Sequence, residues 1–196
     1  MTQPANTAAR RLVETLVMNG IDRVFCVPGE SYLAVLDALA DERDRIEVIA
    51  CRHEAGAATM AEAYGKLTGK PGVCMVTRGP GATHASIGVH TAPQDSTPMI
   101  LFVGQIAMTD RGRGAFQEMD YRRMYGQMAK WVAQVDRVER IPEYVSHAFH
   151  TATAGRPGPG LRRTGARAAG EGRAPSAGAR RLRLDRRRRR RHRRLG

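Results

Sequence analysis

Three stretches of the chain combine residue types and spacing suited to ligand chemistry. The first is Arg52-His53-Glu54-Ala55-Gly56-Ala57-Ala58, continued by Ala61-Glu62-Ala63-Tyr64-Gly65 and Thr68-Gly69-Lys70. Glu54 follows an apolar run and opens a small-residue segment, so it stands at the end of a buried strand and the start of a helix. A carboxylate there has a helix dipole beside it and little room for water, the setting in which its protonation is most open to tuning. On spacing alone the same acid could simply favour the positive end of its helix. The second stretch is Val76-Thr77-Arg78-Gly79-Pro80-Gly81-Ala82-Thr83, whose glycines let a ligand approach the backbone closely. No Gly-Lys-Ser/Thr follows, which excludes a P-loop, and the third glycine and ribose-binding acid of a dinucleotide fingerprint are missing. Taken alone it is equally a tight strand-to-helix turn. The third is Gly114-Ala115-Phe116-Gln117-Glu118, in a polar loop that also reads as an ordinary connection. His84 and His90 are acid–base candidates, or packed or solvated histidines.

The elements that must position these residues follow from hydrophobic periodicity. Thr7 caps a helix over Ala8–Met18, with Leu12, Leu16 and Val17 on one face and Gly20 as its stop. Arg23–Val27 reads as a short strand ending in the turn Pro28-Gly29. Ser31 is expected to cap a second helix with Leu33, Val35, Leu36 and Leu39 as its inner stripe. Further strands are expected at Ile46–Ala50, Val73–Val76, Met99–Val103 and Trp131–Val135, and further helices at Ala55–Leu67, Ala82–Thr91, Tyr121–Gln127 and Pro142–Ala154. Strands alternating with helices predict a doubly wound α/β fold: a mostly parallel sheet with helices on both faces. Ligands in such sheets sit beyond the carboxyl ends of the strands. That directs attention to Pro28-Gly29-Glu30, Arg52-His53-Glu54, Arg78-Gly79-Pro80-Gly81 and Gly104-Gln105.

Charge divides the chain in two. The formal net charge of +13 arises wholly in residues 161–196, which hold 15 Arg and two acids, 15 − 2 = +13. Residues 1–160 hold 17 Lys+Arg and 17 Asp+Glu and carry no basic bias. The domain is therefore expected to span 1–159. Residues 160–196, rich in Arg, Ala and Gly, are expected to be disordered, because they cannot bury enough surface to offset ordering entropy. The change of character coincides with a point where the sheet still lacks a closing strand. The tail therefore reads as out-of-frame translation of a GC-rich gene. The competing reading is an arginine-rich arm for nucleic acid, without the aromatic residues such a surface uses. Three cysteines without framework spacing, no signal-peptide core and no run of about 20 apolar residues lead to a cytoplasmic, membrane-free expectation.

Taken in order, these segments resemble the N-terminal, pyrimidine-binding domain of thiamine-diphosphate enzymes of the acetolactate synthase group, over roughly residues 5–159. The resemblance is carried by Val24-Phe25 through Pro28-Gly29, His53-Glu54-x-Gly-Ala-Ala, Ala61-Glu62-Ala63-Tyr64-Gly65, Thr68-Gly69-Lys70, Gly79-Pro80-Gly81-Ala82-Thr83, Asp95-Ser96-x-Pro98 and Phe116-Gln117-Glu118. It implies that Glu54 hydrogen-bonds N1′ of the cofactor's aminopyrimidine and promotes the imino tautomer, whose N4′ removes the thiazolium C2 proton. It implies further that Pro28, Gly29, Thr77, Gly79, Pro80 and Gly81 border the cofactor, and that Glu30, His84, Phe116 and Gln117 face the substrate. The expected substrate is a small 2-keto acid, decarboxylated or carboligated.

Four residues depart from the resembled pattern: Glu30-Ser31 for small residues, Arg78 for Ser and His84 for Asn. They leave the choice of keto acid or acceptor open. The family holds Mg²⁺ and the diphosphate through a separate domain with a Gly-Asp-Gly motif and a downstream Asn, which does not occur here. The chain is thus expected to supply no metal ligand, to meet the diphosphate-binding domain of another subunit or chain in a homo-oligomer, and to be inactive alone. An incomplete enzyme is the leading expectation. A small subunit of a split 2-keto-acid decarboxylase, or a nucleic-acid binder through the tail, are the alternatives.

Overall fold

A computed structural model describes residues 7–165. The expectations for residues 166–196, disorder and frame included, lie outside the described residues. Six strands form one parallel sheet: β1 (Arg23–Cys26), β2 (Glu47–Ala50), β3 (Gly72–Val76), β4 (Met99–Gln105), β5 (Trp131–Val135) and β6 (Pro159–Gly165), in spatial order β2-β1-β3-β4-β6-β5. The helices are α1 (Ala8–Met18), α2 (Leu33–Asp41), α3 (Glu54–Thr68), α4 (Pro80–Gln94), α5 (Tyr121–Tyr125) and α6 (Ile141–Thr153).

The period of two along each strand sorts the core into two layers. Val24 and Cys26, Val73 and Met75, Ile100 and Phe102 face α1, α2 and α6. Phe25, Cys74 and Val76, Met99, Leu101 and Val103 face α3, α4 and α5. Both faces are covered, as an all-parallel sheet requires. Strand order reverses at β1, which has β2 on one side and β3 on the other. The crevice at the carboxyl ends of β1 and β3 is therefore the switch point where such folds bind ligands.

Local signals explain most boundaries. The Thr7 side chain accepts from the Arg10 amide at 3.3 Å and starts α1. Gly69 adopts φ +71° and ends α3 in the left-handed cap that glycine favours. Several expectations are corrected. Ser31 does not cap α2: it lies in a 3₁₀ turn, Glu30–Tyr32, with its hydroxyl 2.9 Å from that of Thr77. Leu33, expected on the inner stripe, is 59% exposed, because that turn rotates the start of α2 and Val35, Ala38 and Leu39 face the core instead. Gly104-Gln105 is not a turn but the end of β4, buried in the ladder with β6.

The largest correction concerns the domain boundary. The strand that the sheet lacks at residue 159 is β6 itself, paired with β4 from Met99↔Pro159 to Gln105↔Gly165 and with β5 on its other edge. The ordered domain therefore runs past residue 159, to residue 165 at least. The cause is that β4 and β5 leave a slot whose amides and carbonyls a sixth backbone must fill.

The cysteines behave as buried hydrophobes to different degrees. Burial pushes the Cys26 thiol up to about 11, and burial raises Cys74 too; Cys51, at the mouth of β2, is half-buried and less enclosed. Because thiolate is the reactive form, iodoacetamide at pH 8 is expected to place one adduct on the folded chain, at Cys51. Cys26 and Cys74 should label only after unfolding, and equal labelling of all three, counted by mass spectrometry, would contradict this packing.

Candidate functional site

The switch-point crevice is built by close backbone approach. Helices α3 and α4 lie side by side on one face of the sheet, in contact through Ala57, Ala58 and Ala61 of α3 and Ala82, Ala85 and Gly88 of α4. A Cβ at Gly88 would fall 2.7 Å from the Ala58 carbonyl carbon, so no larger residue fits at this crossing. With the helix axes this close, side chains of ordinary length at their N-termini meet.

Glu54 is the first residue of α3, with His53 as the N-cap: its Nδ1 accepts the Ala55 amide at 3.1 Å. The Glu54 side chain is only 13% exposed, and its Oε2 lies 3.0 Å from Nδ1 of His84 on α4. The His53 and His84 rings stack at 4.6 Å with 27° between planes. The other carboxylate oxygen, Oε1, faces the glycine turn, where a Cβ at Gly81 would sit 3.2 Å from it and 2.8 Å from Thr77 Cγ2. Glycine at this position lets the turn close onto Thr77 beside the acid.

The turn from β3 into α4 is fastened on several sides. Gly79 adopts φ +60°, and its amide donates to the buried Tyr121 hydroxyl at 2.7 Å. Pro80 begins α4, where a missing amide hydrogen costs nothing. A Cβ at Gly29 would lie 2.6 Å from Thr77 Cβ, so the turn after β1 touches the turn after β3 with no side chain between. Pro28 and Glu30 flank that contact and are exposed. Glu30 has no hydrogen bond or ion pair with another described residue.

The loop after β4 closes one side. Gln117 holds φ +63°, a left-handed conformation unusual for a residue with a Cβ, and packs against Gly79: a Cβ there would lie 2.8 Å from Gln117 Cβ. The Arg78 Nε donates to the Phe116 carbonyl at 3.3 Å. The Glu118 carboxylate accepts the Gly112 amide at 2.6 Å and the Ala115 amide at 3.2 Å, and these backbone bonds hold its pKa below the usual carboxylate range. Phe116 is 76% exposed.

The structure thus brings together Gly29, Glu54, Thr77, Gly79, Gly81, His84 and Gln117, and leaves Glu30 and Phe116 on the surface. His90, also exposed, makes no bond or ring contact among the described residues. Ser31, His53 and Tyr121 also belong to the framework, in roles that the sequence does not indicate because their partners, Thr77, His84 and Gly79, lie far away along the chain. Ligand atoms of His53, Glu54 and His84 lie within 4.8 Å of one another. The Nδ1 atoms of His53 and His84 are already engaged, by the Ala55 amide and by Glu54 Oε2.

A buried-side carboxylate with one oxygen held and the other over a side-chain-free turn fits a flat heteroaromatic ring bearing a basic nitrogen. The acid can share a proton with such a nitrogen, and the glycines keep side chains out of the turn beside it. No helix among the described residues is long and apolar enough to cross a membrane.

Sequence comparison agrees with this fit. The family model "Thiamine pyrophosphate enzyme, N-terminal TPP binding domain" matches residues 6–124. The acetolactate synthase of Bacillus subtilis (strain 168) is 40% identical over 153 residues, 78% of this chain and 26% of the relative. The mitochondrial acetolactate synthase catalytic subunit of Saccharomyces cerevisiae is 40% identical over 148 residues, 76% of this chain and 21% of the relative. The large subunit of acetolactate synthase isozyme 2 of Escherichia coli (strain K12) is 40% identical over 153 residues, 78% of this chain and 28% of the relative. The chain thus spans about a quarter of the length of these relatives. The strand order, the acid beneath the glycine turn and the matched residues converge: the chain belongs to the thiamine pyrophosphate enzymes of acetolactate synthase type, through their N-terminal TPP-binding domain.

Proposed function

We propose that this chain is the pyrimidine-binding part of an enzyme that decarboxylates or carboligates a small 2-keto acid, and that Glu54 is its central catalytic residue. The observation that carries this reading is the Glu54 carboxylate, 13% exposed at the head of α3, with Oε1 beside the Gly81 turn and Oε2 held by His84. Glu54 would share a proton with N1′ of the aminopyrimidine. The burial of its side chain, 13% exposed, limits loss of that proton to water. Gly29 and Gly79 would let the turns border the ring, and Gln117, fixed against Gly79, would face the substrate side. When bound, the cofactor supplies a nucleophilic carbon and an electron sink for the keto acid.

The diphosphate and its Mg²⁺ are assigned to a domain outside this sequence, since Gly-Asp-Gly with a downstream Asn does not occur in it. Exposure of Glu30 and Phe116 beside the crevice suits a face that such a domain, from another subunit or chain, would cover. Unaided, the chain offers half of a site, so we read it as unable to turn over alone.

The test is to titrate 4-amino-2-methylpyrimidine into the ¹⁵N-labelled chain and follow the backbone amides. Shifts should concentrate at residues 29, 54, 77, 79 and 81. Gly81→Ala, whose methyl group would crowd Thr77 and Glu54 Oε1, should weaken binding about tenfold, in line with the 1–3 kcal/mol cost of overpacking. Shifts scattered over the surface, or a Gly81→Ala affinity equal to that of the wild type, would sink the assignment.

A further inference from the structure

We propose that His84 is a positioning residue for Glu54: it ties one carboxylate oxygen so that the other alone is presented to the pyrimidine. This rests on the reading of Glu54 as the pyrimidine-binding acid. The bond runs from His84 Nδ1 to Glu54 Oε2 at 3.0 Å. When the carboxylate is ionised it can only accept, and the bond then requires the His84 proton on Nδ1. The ring is braced rather than free, although the side chain is 50% exposed. His53 stacks on it at 4.6 Å, and His53 is itself fixed by the Ala55 amide donating to its Nδ1. Behind this pair, the Ala58–Gly88 crossing sets the separation of α3 from α4 and hence of Glu54 from His84.

The consequence is a division of labour between the two oxygens. Oε2 is held by His84, and Oε1, beside Gly81, is the atom left to meet a ring nitrogen. Without His84 the carboxylate could rotate about its terminal torsion, which is broad for a glutamate, and the acid would lose its fixed direction.

Substitution chemistry separates this role from simple packing. The amide nitrogen of asparagine is attached to Cγ, as Nδ1 of histidine is, whereas that of glutamine lies one bond further out. His84→Asn should therefore restore what His84→Ala removes, and His84→Gln should not.

The experiment uses the full chain at neutral pH, labelled with ¹⁵N and ¹³C. Two-bond proton–nitrogen correlations should show His84 as the Nδ1–H tautomer, with its ring signals shifting in Glu54→Ala. The Glu54 carboxyl carbon should move in His84→Ala and largely return in His84→Asn. Affinity for 4-amino-2-methylpyrimidine should fall about fivefold in His84→Ala and His84→Gln, the scale of a half-exposed bond to a charged group, and recover in His84→Asn. An Nε2–H tautomer, or a His84→Ala chain with unchanged carboxyl signal and unchanged affinity, would overturn the proposal. If the pyrimidine moves no signal near Glu54 in any variant, the reading of Glu54 fails instead, while the tautomer and carboxyl signals still decide whether His84 holds the acid.

Discussion

Glu54→Gln is expected to lower turnover by about 10²- to 10³-fold in the enzyme assembled with its diphosphate-binding domain, the usual scale for removing a proton-transferring group. Pyrimidine affinity should fall by less than about tenfold, because the glutamine amide still offers a hydrogen bond of the same length. The two effects part because shape and proton affinity are separate properties of the side chain. Gln fills the volume that Glu54 occupies between Gly81 and His84, and keeps polar atoms near both. It cannot take or share a proton at neutral pH, which is what the proposed role requires. Binding measured by titration and turnover measured with saturating cofactor give the two numbers independently. Equal losses in both would mean that Glu54 only holds the ligand.

Gly72→Ala should be the most damaging single methyl group in the fold. Gly72 opens β3 directly beneath α3, and a Cβ there would overlap the Ala61 carbonyl group. Both partners are backbone, so neither can swing aside; helix and strand must separate. We expect about 3 kcal/mol of destabilisation, the upper end for overpacking a core. For an ordered region of this size that corresponds to a fall of about 6–12 °C in Tm. Pyrimidine affinity should drop as well, because the same contact sets how far Glu54 stands from Thr77. Gly56, in the first turn of α3, is the internal comparison: nothing lies within 4 Å of a Cβ there. Gly56→Ala should stabilise the chain by about 0.5–1 kcal/mol, the difference in helix propensity. Thermal unfolding of both variants checks the pair, and a neutral Gly72→Ala would contradict the close α3–β3 packing.

The elements were largely legible because each carries its own local signal. The buried runs of β3 and β4, the Thr7 cap and the Gly69 stop all act over a few residues. The placement of Glu54, Gly79 and Gly81 was legible for a similar reason: an acid after an apolar run and glycines before a helix mark strand-to-helix turns. What failed depends on distant partners. The placement of Ser31 is decided by Thr77 across the β1–β3 crevice, not by the helix that follows it. The extension of β4 through Gln105 and the existence of β6 depend on each other's backbone hydrogen bonds. An arginine- and glycine-rich segment gives no periodic sign of that. The pairing of His84 with Glu54 needs the α3–α4 crossing, which is encoded by small residues at Ala58 and Gly88 rather than by either functional residue.

The most direct measurement is the protonation of the bound ring. 4-Amino-2-methylpyrimidine labelled with ¹⁵N at its N1 is added to the full chain at neutral pH, and the N1 shift is read in the wild type and in Glu54→Gln. The expected result is an N1 signal moved toward the protonated form on the wild-type chain, and an unprotonated N1 on Glu54→Gln despite continued binding. An N1 signal that is the same on both chains would contradict Glu54 as the acid that serves the pyrimidine.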